Sequence, residues 1–216
     1  MPKISVIMGV YNGEKRVKAT IESILNQTFT DFEFIICDDN SKDKTFEVIK
    51  KFAYKDRRVK HLKNSNNLGL AQTLNNCLEV AQGEYIARMD DDDISHRDRL
   101  EKQVAFLDKN PKYAIVGTGR NFYDENGIWG RESKEFEPSK VDIYCGKTFV
   151  HPSIMIRKQA IMSVGGYTVS KLTKRAEDYD LWCKLYDKGY KGFNIEDVLI
   201  DYYEGKNSYK KRKYKY

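Results

Sequence analysis

Four consecutive aspartates, Asp90 to Asp93, directly follow the apolar run that ends at Met89. Like charges this close repel and raise one another's pKa unless a cation or hydrogen-bond donors compensate them. The segment "YIARMDDDDIS" therefore asks for a positive group that its own sequence does not supply. Two more polar clusters stand after apolar runs in the same way: "YNGE" (Tyr11 to Glu14) after "ISVIMGV", and "DDNS" (Asp38 to Ser41) after "FEFIIC". A further acidic group, Glu177, Asp178 and Asp180, opens the segment "EDYDLWCKLYDKG".

The elements around these clusters must bring them together. "ISVIMGV" and "FEFIICDD" are near-continuous apolar runs rich in β-branched residues, as expected of strands covered on both faces. Val17, Ile21, Ile24 and Leu25 recur between them at helical spacing. A helix over Thr45 to Phe52, a strand "RVKHL", a helix carrying Leu70, Leu74, Cys77, Leu78 and Ala81, and a strand "EYIARM" continue the alternation. This rhythm predicts an α/β fold, a Rossmann-like, mostly parallel sheet with helices on both faces. Ligands of such sheets bind beyond the carboxyl ends of the strands, where all three clusters fall. The first turn has neither GxGxxG nor GxxxxGK[ST], so the usual dinucleotide and P-loop phosphate cradles are disfavoured.

Beyond Asp93 the pattern loosens. A helix near Arg97 to Lys109 and a strand "YAIVGT" are expected, then a weakly periodic stretch from Arg120 to Lys147. "HPSIMIRK" reads as a strand, and the segment from Glu177 as a helix with Leu181, Trp182 and Leu185 on its apolar stripe, stopped by Gly189. The expected organisation is a single domain over 1–205, with a regular half (about 1–95) and a less regular half (about 96–205), followed by a basic tail at 206–216.

At 216 residues the chain can bury a substantial core. No apolar run is long enough for a signal peptide or a membrane span, so a cytoplasmic protein is expected. The four cysteines form no CxxC pair, which suggests neither a zinc site nor a disulfide framework, and they are read as small core residues. The formal charge of +6 lies entirely in the tail, whose 11 residues "KNSYKKRKYKY" hold six Lys or Arg and no acid. A neutral body with one basic end argues against nucleic-acid binding and for local contact with an anionic membrane at its inner face, a disordered solubilising end being the alternative.

The order of these motifs, with "NLGLAQTLNNCLEVAQGEYIARMDDDDIS", "HPSIMIRK", "GGY" and "AEDYDLWCKL", resembles family 2 glycosyltransferases, inverting enzymes of the GT-A fold, over roughly residues 3 to 190. The resemblance implies that the aspartate run is a DxD motif holding Mn²⁺ or Mg²⁺ on the diphosphate of a nucleotide sugar, the missing positive charge. Such cations prefer hard oxygen ligands and accept substrate phosphates at open positions. Asp90 and Asp92 are the implied metal ligands, with Asp91 toward ribose and Asp93 capping the next helix. A calcium EF-hand fails, since Ile94 and Ser95 stand where a ligand and the obligatory glycine belong.

By the same resemblance Asp39 reads the uracil edge, and Tyr11 lines the base pocket. Glu14, Asn67 and Arg88 are further donor-contact candidates. Helix capping is the alternative for Asp39, a favourable place at a helix N-terminus for Glu14, and a loop-structural role for Asn67 and Arg88. Inverting transfer needs a carboxylate to take the acceptor hydroxyl's proton. Asp178 is implied as that base, with Glu177 beside it; Asp180 should face elsewhere, and first-turn acids stabilised by the helix dipole are the plainer reading of all three. His151 is open to a metal, acceptor or structural role, and Trp182 is read as core. The activity that the resemblance implies is sugar transfer by a single catalytic domain over 1–205, its nucleotide-binding half at about 1–95 and its acceptor-side half at about 96–205, from a UDP-linked donor to a glycan or lipid-linked acceptor in cell-surface polysaccharide synthesis. The rivals are a sugar nucleotidylyltransferase, whose glycine- and arginine-rich loop is missing from "GVYNGEKR", and a noncatalytic glycan-binding or scaffold protein on the same fold.

Overall fold

In the computed structural model, which describes residues 1–205, the chain runs from β1 (Ile4–Val10) through α1 (Val17–Leu25), β2 (Phe32–Asp38), α2 (Thr45–Lys55), β3 (Val59–Lys63) and α3 (Leu70–Val80) to β4 (Tyr85–Arg88). The basic tail at 206–216 lies outside the described residues. Every residue of β1 and β2 is buried, which is why neither strand shows a polar alternation. Successive side chains point to opposite faces: Ile4, Val6, Met8 and Val10 pack with Ile21, Ile24 and Ile49, whereas Ile7 packs with Leu74, Cys77 and Leu78. Each of these fully buried aliphatic side chains contributes about 1.5–3 kcal/mol.

The strands β3, β2, β1 and β4 lie side by side and parallel, in register Val10↔Asp38 and Ile7↔Arg88. Their carboxyl ends therefore share one edge, and the segments after Val10, Asp38 and Arg88 emerge together there.

The second half adds β5 (Ile94–Ser95), α4 (Arg99–Lys109), β6 (Ile115–Asp124), β7 (Gly127–Glu132), α5 (Lys140–Tyr144), a 3₁₀ turn (His151–Ser153), β8 (Met155–Arg157), α6 (Lys158–Ser163), α7 (Glu177–Asp187) and β9 (Gly192–Tyr203). The same sheet continues from β4 through β8, β6 and β9 to β5, with β7 beside β6. The β4–β8 and β8–β6 pairs are antiparallel, whereas β6 and β9 run parallel.

Here the structure departs from several expectations. The weakly periodic stretch after Arg120 holds the end of β6, the β6–β7 hairpin and α5. The hairpin turns at Glu125 and Asn126, and Gly127, which opens β7 opposite Asp124, sits at φ 110°, a conformation open to glycine without steric cost. "HPSIMIRK" is a 3₁₀ turn, a three-residue strand and the first residue of a helix, because Pro152 cannot donate to a sheet ladder. Of the cysteines, Cys37 and Cys77 are buried, but Cys145 is exposed and Cys183 is half-buried. Trp182 is fully buried, as expected, and Gly189 ends α7 at φ 85°.

Candidate active site

The three polar clusters meet at the carboxyl edge and brace one another. Asn12 and Asn40 adopt left-handed backbone, φ 55° and 61°, which asparagine tolerates better than most residues. The Asn12 amide donates to Ser41 Oγ (2.9 Å), and Asn12 Oδ1 accepts from the Lys42 amide (2.8 Å). Gly13 lies against the aspartate run: a Cβ there would overlap the Asp91 carboxylate. Tyr11 is exposed beside this junction.

Asp39 is buried and accepts the Leu68 and Gly69 amides (2.7 and 2.8 Å) and Asn64 Nδ2 (2.8 Å). It thus serves the start of α3 rather than α2. Glu14 accepts the Lys44 amide at 3.2 Å, and Asn67 Nδ2 donates to the Asp39 carbonyl at 3.4 Å. Both bridge loops.

Within the aspartate run the four side chains have different surroundings. Burial, with the charges of Asp92 and Asp90, raises Asp91 to about 7; burial and Asp90 raise Asp92 to about 6. The Asp92 carbonyl accepts Tyr123 Oη at 2.5 Å. Asp93 does not cap α4. Its buried carboxylate accepts the Tyr203 amide of β9 at 2.7 Å, and burial drives its pKa well above the usual range. The residue flanking α4 is Asp98.

Some compensating positive charge comes from two arginines with no side-chain exposure to speak of, at 1 % (Arg88) and 0 % (Arg99). Arg88 pairs with Asp90 Oδ2. Arg99 Nη2 donates to the Arg88 carbonyl at 2.7 Å, its Nε to Gln103 Oε1 at 3.0 Å, and its Nη1 to Met89 Sδ at 3.3 Å. Burial lowers Arg99 to about 9, so it remains charged near neutrality. Sequence reading missed Arg99 because arginine normally marks a surface; its place on the buried stripe with Leu100, Gln103 and Val104 is the available signal.

A cavity of about 820 Å³ opens beside this loop, lined by Arg88, Asp90, His151, Glu177 and Asp178 among others. The packing of α7 explains the placement of Asp178. Trp182 is anchored edge-on against Phe149 and His151, and Asp178, one turn earlier on the same helical face, projects into the cavity. Asp180 instead pairs with Lys184 (3.3 Å). Burial raises the pKa of Asp178, although the Tyr179 amide donates to it at 2.8 Å. His151 Nε2 lies 2.8 Å from Tyr167 Oη, and burial with the nearby Arg88 charge keeps its pKa well below the usual histidine range. Thus Arg88, Asp90, Glu177 and Asp178 line one cavity. Tyr11, Glu14, Asp39 and Asn67 occupy the neighbouring strand-end loops, and Leu70 at the start of α3 borders both groups.

Hard carboxylate oxygens, crowded and short of positive charge, suit Mn²⁺ or Mg²⁺. Among the described residues no three or more His, Cys, Asp or Glu side chains form a ready-made metal group. A cation at the run would therefore complete its coordination with water or ligand phosphates.

Residues 5–165 match the family model described as "Glycosyl transferase family 2". The chain belongs to that family. It is 42 % identical to EpsE of Bacillus subtilis (strain 168), over 100 % of this chain and 78 % of that protein. Identity to the Escherichia coli UDP-Glc:alpha-D-GlcNAc-diphosphoundecaprenol beta-1,3-glucosyltransferase WfaP is 30 %, over 94 % of this chain and 77 % of that one. The fold is that of Staphylococcus aureus TarS 1–349 in complex with UDP, with TM-score 0.78 and 22 % identity over 97 % of this chain. It also matches the Pyrobaculum calidifontis mannosyltransferase PcManGT in complex with GDP-Man and Mn²⁺, with TM-score 0.76 and 20 % identity over 96 % of this chain. This family 2 glycosyltransferase spans 62 % and 59 % of those two chains. Its mixed α/β architecture is the GT-A type.

Proposed function

We propose that this glycosyltransferase moves a sugar, with inversion, from a UDP-linked donor to a hydroxyl of a glycan or lipid-linked acceptor in bacterial cell-surface polysaccharide synthesis. The observation carrying the reading is the single cavity with Arg88 and Asp90 in its wall together with Asp178. One carboxylate beside a cation site and another free to accept a proton are the two charges that a one-step displacement separates. UDP bound to TarS and the UDP-sugar named for WfaP support the donor class. The diphospholipid in the latter's name supports a lipid-linked acceptor.

In this reading Asp90 and Asp92 would hold Mn²⁺ or Mg²⁺, which when bound offsets the charge developing on the departing diphosphate. Asp91 faces the ribose and Tyr11 the base. Asp39 spends three acceptor positions on Leu68, Gly69 and Asn64; an ionised carboxylate has about four, which leaves one for the uracil N–H. Glu14 and Asn67 keep the loops in place. Asp178 takes the proton of the acceptor hydroxyl, and its raised pKa makes it a stronger base than an exposed aspartate. Glu177 adds negative charge beside it.

Calorimetry tests the donor side. UDP should bind at least tenfold more weakly in EDTA than in Mn²⁺, and Asp92→Asn should reproduce the loss. Equal affinity in both conditions would remove the role of the run. For the base, Asp178→Asn should lower transfer by about 10²- to 10⁴-fold with UDP affinity within about threefold of the parent. Transfer within threefold of the parent would exclude Asp178.

A further inference from the structure

Arg88 is an arginine buried at the mouth of a cation site, and its hydrogen bonding is incomplete. It is the last residue of β4, its amide donating to the Ile154 carbonyl at 3.0 Å while its own carbonyl is held by Arg99. The side chain lines the cavity shared with Asp90 and Asp178. Its Nη1 is paired with Asp90 Oδ2, whereas the buried Nε has no hydrogen-bond partner. A guanidinium offers five donors in a rigid fork, so the Nε side of this fork stands ready for another acceptor.

We propose that Arg88 is the resident counter-ion of Asp90, displaced when a divalent cation binds and then taken up by the anionic oxygens of the donor's diphosphate. The inference rests on the donor-site reading above. A divalent ion on the Asp90 carboxylate repels the guanidinium paired with the same group, which weakens that pair. Of the other charged groups near Arg88, Asp93 is engaged by the Tyr203 amide, Asp178 by the Tyr179 amide, and Arg99 is itself positive. The carboxylates left near the released guanidinium, Asp91, Asp92 and Asp93, belong to the run whose charge the cation offsets. A nucleoside diphosphate brings fresh negative charge to a buried cation that has just lost its partner. Cation and donor then bind cooperatively through a protein group, beyond the direct contact of metal with phosphate, and by linkage each raises the other's affinity equally.

The experiment is Mn²⁺ calorimetry without nucleotide on the parent protein and on Arg88→Met, which keeps length and removes charge. If Arg88 competes for Asp90, the variant should bind Mn²⁺ alone at least fivefold more tightly, while UDP in saturating Mn²⁺ binds at least tenfold more weakly. Unchanged or weaker Mn²⁺ binding by a folded variant overturns the proposal. Should Arg88→Met not fold, the parent protein decides: on titrating Mg²⁺ alone into ¹⁵N-arginine-labelled enzyme, the Arg88 Nε–H resonance should shift, and a resonance unmoved at saturation overturns the proposal. Metal binding abolished by Asp92→Asn but indifferent to Arg88 would sink this inference and leave the donor-site reading intact. No metal binding even with UDP would sink both.

Discussion

Gly13 shows how much of the site depends on an atom that is absent. A β-carbon at this position would meet the Asp91 carboxylate and stand 2.9 Å from Val10 Cγ1. The valine belongs to a packed strand, but the carboxylate is the end of a side chain and can swing away, leaving the position at which a donor would find it. Gly13→Ala should therefore cost about 1–3 kcal/mol of stability, the usual penalty of overpacking. UDP affinity should fall further, by at least tenfold, as read by calorimetry beside a urea melt. A loss of stability with unchanged UDP affinity would detach Asp91 from the donor site. In the sequence, "YNGE" showed only a polar turn; that its glycine abuts an aspartate 78 positions away is a fact of strand register alone. The burial of Arg88 and Arg99 was hidden for a similar reason, since a charged residue type points outward until the packing around it is known.

Among the elements, those that bury both faces were legible and those that bury little were not. In β1 and β2 an unbroken apolar run has one physical use, whereas in β7 five of six residues are exposed, so no hydrophobic period betrays the strand. The last strand, β9, alternates poorly because its pairing with β6 is interrupted by bulges near Gly119. Yet β9 fixes the acidic loop from behind. His96 Nε2 lies 2.7 Å from Asp201 Oδ1, which also accepts Asn121 Nδ2 at 2.8 Å. The Asp201 bond raises the pKa of His96; burial opposes the ionised form of Asp201, but His96 and Asn121 lower it overall. A raised histidine value stabilises the fold fully below about 6.5 and loses that contribution as pH rises through the folded value; a lowered aspartate value contributes above about 4 and is lost on acidification. The pair is thus strongest between those limits. His96→Gln should cost about 1 kcal/mol at pH 5.5 and less at pH 8.5 in urea titrations, and an equal cost at both would show that charge plays no part.

For the whole molecule, one sheet runs through the halves that the sequence had separated near residue 95, so the loop between β4 and β5 is braced by strands from both. The basic tail follows Gly205, immediately after the strand whose Tyr203 amide holds Asp93. Deleting residues 206–216 should reduce binding to anionic vesicles at low salt by severalfold, since each base near such a surface is worth about 1 kcal/mol, with donor hydrolysis nearly unchanged. Equal vesicle binding by both forms would leave the tail as a solubilising end. No helix among the described residues is long and apolar enough to cross a membrane. The bond between Tyr203 and Asp93 also has a temporal side. Its partners are 110 residues apart, and a ribosome adding about 5–20 residues per second makes the aspartate run roughly 6–20 s before the strand that will brace it. Throughout that interval the nascent acidic loop lacks its backing, and translation must pass Tyr203 before the site can close.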